Sequence, residues 1–275
     1  MLLVLLGAAL HATWNAGVKS GRDKFLDAAL VLAGAAVVIP GFLLFLPLPD
    51  PACWPLLGFS VVIHLIYFVL VALAYEHGEM SLVYPLMRGA APVLTALLGV
   101  FFLEEIPNGL GWLGILCVSG GILSLAFSSF GSEAFRGKGV AFALLNAGVI
   151  VIYTLVDGAG VRLSGNAMSY TGWMIFLTAV SVVGFVACKR GSVALRYLAA
   201  NRMKALAGGC CTFGSYSLAL WAMTRAPIAH VATLRETSIV FGTILAAGIL
   251  KEKVSRRRLL GIAAVTIGAV LIKMS

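Results

Sequence analysis

Long apolar stretches alternate with short polar breaks along the whole chain, and that alternation predicts its elements. At about 20 mostly apolar residues per bilayer crossing, ten spans fit, at about 1–18, 25–46, 54–75, 80–103, 109–130, 138–159, 168–188, 204–224, 228–250 and 258–274. The breaks are mostly short, so sequential helices are expected to pack antiparallel. Trp54, Trp112 and Trp173 stand at span ends, as the interfacial aromatic belt requires. The first stretch, "MLLVLLGAALHATWNAGVK", lacks a basic leading segment and carries His, Trp and Asn inside its apolar run. It reads as a span rather than a cleavable signal.

The pattern also repeats. Shifted by 147 residues, "YPLMRGAAPVLTALLGVFFLEE" (84–105) falls on "VATLRETSIVFGTILAAGILKE" (231–252), which sets Arg88 on Arg235 and Glu105 on Glu252. The following "LGI" at 113–115 meets "LGI" at 260–262, and Gly121 meets Gly268. A looser match sets "NAGVK" (15–19) over "GAGVR" (158–162). The expected fold is therefore an all-α membrane protein of ten transmembrane helices arranged as a 5+5 repeat, 1–131 and 132–275, forming one membrane domain. Five is odd, so the second copy enters the membrane from the opposite side. Inverted repeats of this kind place a binding site near the midplane and support alternating access. Along span four, Ala91, Thr95 and Gly99 recur every fourth residue, with mates Ser238, Gly242 and Ala246 on span nine. Small residues at that spacing predict a close packing seam.

Composition agrees with the spans and narrows the class. Of 275 residues, 61% are hydrophobic and 11% charged, and mean hydropathy is +1.02; a soluble domain carries about 25% charged residues. The net charge of +9 does not point to nucleic acid, because the basic residues sit in short breaks rather than on one face. Fifteen of them fall in the odd-numbered breaks, at Lys19, Arg22, Lys24, Arg136, Lys138, Lys189, Arg190, Arg196, Arg202, Lys204, Lys251, Lys253 and Arg256 to Arg258. Only Arg162, Arg225 and Lys273 lie in the even breaks and at the C-terminal end. The positive-inside rule then places both termini outside. The five cysteines, Cys53, Cys117, Cys188, Cys210 and Cys211, show neither metal spacing nor a disulfide framework.

"ALHATWNAGVK", "SLVYPLMRGAAPVL", "YTLVDGAGVRLSG" and "TLRETSIVFG" with "LKEKVSRRRLLGI" resemble the drug/metabolite transporter superfamily, of the EamA type. The resemblance covers nearly the whole chain and is nearest to a bacterial subgroup associated with phosphonate utilisation. It implies a multi-pass carrier of the bacterial plasma (inner) membrane, working as a monomer or homodimer. Such a carrier exports metabolites, amino acids or drugs through a central cavity. Many duplicated members have cytoplasmic termini; the charge distribution here predicts the reverse.

Within the spans the polar groups are few. His11 and Asn15 share a face of span one, with Trp14 beside them, and Tyr153 and Asp157 share a face of span six together with Asn146. Spans three and eight offer His64, Tyr67 and Tyr216. Tyr84 precedes Arg88 by one turn, and Glu236 follows Arg235. Asp157 and Glu236 read as the only intramembrane carboxylates, and such groups mark proton relays. By depth, Asn15 and Arg88 fall in the inner half; Asp157, Arg235 and Glu236 fall in the outer half. Arg235 is thus expected to pair with Asp157 or Glu236, while Arg88 meets no carboxylate. A guanidinium at a helix centre costs roughly 2.5–3.5 kcal/mol, so the expectation is that an anionic or zwitterionic substrate balances it. The substrate-binding candidates are Arg88, Arg235, Glu236, Asp157, Tyr153, Asn15, His11, Trp14, Tyr84, Tyr67 and Tyr216. There is no phosphate loop, no zinc-protease motif and no Cys/His cluster. No cofactor and no enzymatic activity are expected. A small-molecule substrate, the lipid bilayer and a coupling proton are the expected partners. A cation-exporting multidrug carrier and a membrane-embedded lipid-modifying enzyme are the alternatives.

Overall fold

The computed structural model describes residues 1–20, 24–129, 135, 137–248 and 255–275; the side chains of 16–20, 24, 25, 127–129, 194, 195, 246 and 248 are likewise outside the description. Arg22, Arg136, Lys251, Glu252 and Lys253, and the side chains of Lys19, Lys24 and Ala246, therefore lie outside the described residues. Among the described residues there are eleven α-helices and no strand. They are α1 (Leu2–Ser20), α2 (Lys24–Leu43), α3 (Trp54–His77), α4 (Met80–Leu103), α5 (Gly109–Leu123), α6 (Lys138–Leu163), α7 (Ala167–Ala200), α8 (Arg202–Met223), α9 (Ile228–Arg235), α10 (Ser238–Gly248) and α11 (Arg256–Met274). Six helical stretches among the described residues, at 26–43, 51–77, 80–103, 109–126, 138–163 and 167–193, are long and apolar enough to span a bilayer. The chain is a multi-pass membrane protein.

Local chemistry sets the helix ends. Asn108, Asn166 and Ser255 accept hydrogen bonds from the backbone N–H groups of Gly111, Ser169 and Arg258, satisfying donors that a helix start leaves open. The ten-span arrangement is not confirmed: the described residues form eleven helices, six stretches of which are long and apolar enough to cross, and spans seven and nine differ in outline from those expected. Span seven, expected to stop at 188, breaks at Gly191, whose φ of 51° and ψ of −132° are non-helical and suit glycine, and a second helical stretch then runs to Ala200. Span nine is not one helix. It ends as α9 at Arg235 and resumes as α10 at Ser238. Between them the α ladder tightens: Glu236 N–H donates to Thr233 O, Thr237 to Leu234 O, Ile239 to Glu236 O and Val240 to Thr237 O. Such a mid-helix tightening marks strain or a hinge. The physical reason is the run "RETS" (235–238), four polar residues in an apolar helix, where the Thr237 hydroxyl also bonds Leu234 O at 2.6 Å.

The chain divides into two compact units. The first comprises 66–155 and 225–275 together with Met1. Its main seam joins α5 to α11 through glycines: a Cβ on Gly114 would stand 2.8 Å from Gly268 O, and one on Gly121 2.8 Å from Gly261 O. No side chain fits there, so the two backbones touch. α4 packs against α5 and α9 in the same unit. The second unit comprises 2–65 and 156–224. In it α8 packs on α1 and α2, and α2 on α7. A Cβ on Gly34 would lie 1.7 Å from Ala205 O, and one on Gly209 2.3 Å from Ala35 N. These glycines make the tight seams; the ridge expected on α4 does not. Ala91 and Thr95 face a cavity instead, and a Cβ on Gly99 would meet nothing within 4 Å.

Candidate functional site

Arg88 answers the main question posed by the sequence. It stands on α4 between Pro85 and Pro92, and Pro92 has no N–H to give the Arg88 carbonyl. The side chain is buried at 7% exposure, as is that of Glu236 in the tightened turn between α9 and α10. They meet as a fork: Nη2 lies 2.7 Å from Oε1, and Nε donates to Oε2 at 2.9 Å. The expectation that Arg88 faces no carboxylate is thereby corrected. Arg88 and Glu236 each lie about eight residues inside a span, on the order of 12 Å from its end. Two long side chains cover the gap between residues that the count had placed in opposite halves.

The pair borders a small cavity within the first unit, lined also by Thr95, Ile150, Tyr153 and Arg235. Its volume is about 10 Å³, the space of roughly one water molecule. Tyr67, Tyr84 and Tyr153 stand within electrostatic range of the guanidinium, and the Tyr67 and Tyr153 rings meet edge to face at 5.7 Å. At the other end of α9, Glu105 accepts a hydrogen bond from Ile228 N at 2.7 Å. Beside the site, Asn146 donates to the Met87 sulfur. A buried ion pair of this kind is weak evidence for stability, because apolar residues of similar size do as well. Breaking it by removing one partner costs about 3–5 kcal/mol.

Asp157 has a different setting, in the second unit. It is fully buried, and Tyr216 and Tyr170 donate their hydroxyls to Oδ2 and Oδ1 at 2.5 and 3.3 Å. His64 Nε2 lies 4.0 Å from Oδ2. Gly160 makes room for this: a Cβ there would fall 2.5 Å from the Tyr170 hydroxyl. Tyr170, in the capped first turn of α7, was not among the sequence candidates.

The remaining candidates lie in the second unit. His11 and Trp14 pack edge to face at 5.1 Å, and Asn15 turns its amide back to the His11 carbonyl at 2.8 Å. A third carboxylate also emerges. Asp27, near the start of α2, is 6% exposed and accepts a hydrogen bond from Tyr197 at 2.6 Å. Asp157 and Glu236 are therefore not the only buried acids. Asp27 was passed over because it adjoins a basic break, where a carboxylate reads as solvated.

Comparison with known proteins adds the family. The model of the EamA-like transporter family matches residues 1–127 and again 137–274. No curated protein matches the sequence. A solved crystal structure of a protein superposes with a TM-score of 0.71 at 17% identity, over 100% of this chain and 99% of that one. At that identity the likeness shows the fold alone.

Proposed function

The chain belongs to the EamA-like transporter family, and on that premise we propose a secondary-active exporter of small anionic or zwitterionic metabolites that bind at Arg88 and Glu236. The observation that carries this reading is the buried fork between them at the interrupted helix. Discontinuous helices form the substrate sites of many carriers. A fork of two N–H groups on one carboxylate is also the geometry in which arginine takes a substrate carboxylate or phosphonate. A zwitterion can enter such a pair without leaving any charge unbalanced: its anionic group takes Arg88 and its ammonium takes Glu236. Arg235, on the same cavity, is a second handle for the anion. At about 10 Å³ the cavity holds no metabolite, so binding requires the interrupted helix to move. Amino acids and organophosphonates fit this chemistry.

The alternative of a cation exporter would use Asp157 and Glu236, and both oxygens of Glu236 are already engaged by Arg88. A lipid-modifying enzyme would want acids converging on one interface. The described carboxylates are divided between the units.

The deciding measurement is counterflow and binding in liposomes with matched anionic, zwitterionic and cationic ligands. A charge-assisted hydrogen bond contributes roughly 1.5–3 kcal/mol, so losing it should weaken zwitterion affinity about 10- to 100-fold. Arg88→Gln alone strands Glu236, so the variant to use is Arg88→Gln with Glu236→Gln, which removes both charges together. Arg88→Lys should recover only part of the affinity, because ammonium lacks the planar fork. Undiminished zwitterion and anion affinity in the double variant would sink the assignment; loss confined to cations would favour the multidrug alternative. The proposed orientation, termini outside, is separately testable: a C-terminal fluorescent protein that needs the cytoplasm should stay dark.

A further inference from the structure

The stereochemistry of His64 bears on where a proton can sit beside Asp157. His64 Nδ1 lies 2.9 Å from the Ser60 carbonyl oxygen and 3.2 Å from the Ser60 hydroxyl. A carbonyl only accepts, so Nδ1 carries the hydrogen and Nε2 is left with its lone pair unless the ring is cationic. That Nε2 is the nitrogen 4.0 Å from Asp157 Oδ2. With neither group protonated, a lone pair and a fully buried carboxylate charge face each other. One proton, on the imidazole or on the carboxyl, removes the conflict.

The remaining partners suit either state. A tyrosine hydroxyl both donates and accepts, so Tyr170 and Tyr216 can serve a carboxylate or a carboxylic acid by rotating. Cys53, in the turn before α3, stands within electrostatic range of Tyr170. Glu236 contrasts with this. Its partner guanidinium only donates and does not deprotonate, so adding a proton to Glu236 would strand Arg88.

We propose that Asp157 and His64 together hold one exchangeable proton, and that this pair is the ion-coupling site of the transporter. The coupling half of the proposal rests on the transport reading above; the proton-binding half does not. Loading adds a proton from water to the Nε2 lone pair or to a carboxylate oxygen, and release returns it to water; no other bond is made or broken.

The test uses protein in liposomes, with pH as the only variable and no transport substrate. Infrared difference spectra between about pH 5 and pH 9 should contain a buried carboxyl band that Asp157→Asn removes. His64→Gln and Tyr216→Phe should keep the band but displace its midpoint by on the order of one pH unit. A difference spectrum unchanged by Asp157→Asn overturns the proposal. So does a midpoint that ignores both His64→Gln and Tyr216→Phe, the variants that keep the carboxylate and guard against a misfolded Asn variant. A second arm separates the two halves. If the band titrates as expected but counterflow of a responding anion or zwitterion ignores a pH gradient, the proton site stands and the coupling role is overturned. If no ligand shows counterflow, the transport reading fails instead.

Discussion

The first unit buries Glu236 and the second buries Asp157, and these two acids are neutralised by opposite means. Glu236 is held by a guanidinium through two bonds of 2.7 and 2.9 Å. Asp157 is held by two hydroxyls, with an imidazole at 4.0 Å. A guanidinium supplies permanent charge, so the first acid gives it up only when another anion takes its place. Hydroxyls and imidazole supply adaptable partners, so the second acid can change its own state. Burial alone therefore does not say what an intramembrane acid does; its partner's chemistry does.

The sharpest way to break this comparison is to remove one acid at a time. Glu236→Ala leaves Arg88 buried and unbalanced and should cost about 3–5 kcal/mol in reversible unfolding in detergent. Asp157→Asn keeps an acceptor for one tyrosine and gives the other an N–H that its hydroxyl can accept, and should cost less than about 1.5 kcal/mol. Equal losses would mean that Asp157 also carries a fixed charge. An effect smaller than that of Glu236→Ala is expected from Tyr216→Phe, which deprives Asp157 of its shorter hydrogen bond: about 1–3 kcal/mol by the same measurement. Smaller still is Gly160→Ala, whose methyl group would meet the Tyr170 hydroxyl and displace it from Asp157. The expected loss is about 0.5–1.5 kcal/mol, and Tyr170→Phe should add little to it, since both act on one bond. The smallest effect should come from salt. Both partners of the Arg88–Glu236 pair are 8% exposed, so raising salt from about 0.05 to about 0.5 M should leave the destabilisation by Glu236→Ala unchanged. A strong salt dependence would place the pair in water.

Much of the fold was legible from apolar run length, because a bilayer imposes one length on every crossing. What escaped was decided by groups that run length averages away. The four polar residues of "RETS" disappear in a 23-residue window yet interrupt span nine, and beyond the break at Gly191 a further helical stretch runs to Ala200. The candidate site was partly legible. Arg88 and Glu236 were both singled out as costly to bury. Their pairing was not, because depth counted along separate helices has an error comparable to the reach of the two side chains. Asp157 was singled out as an acid, but Tyr170 and the hydrogen-bonded ring of His64 depend on packing between distant segments.

The α5–α11 seam carries a consequence about symmetry. Under the 147-residue shift Gly114 corresponds to Gly261 and Gly121 to Gly268, and the contacts run crosswise, Gly114 to Gly268 and Gly121 to Gly261. Contacts exchanged in this way are isologous, the kind a two-fold axis generates between identical partners. A half-length chain could use the same surface to bind an inverted twin. Such a twin pair is bound to place the same residue at both symmetric positions. In the joined chain that obligation has lapsed: Glu236 corresponds to Gly89, so of two mated arginines, Arg88 has a glutamate opposite and Arg235 has a glycine in the matching place. Fusion into one polypeptide is what allows a single acid where a dimer would be forced to carry two.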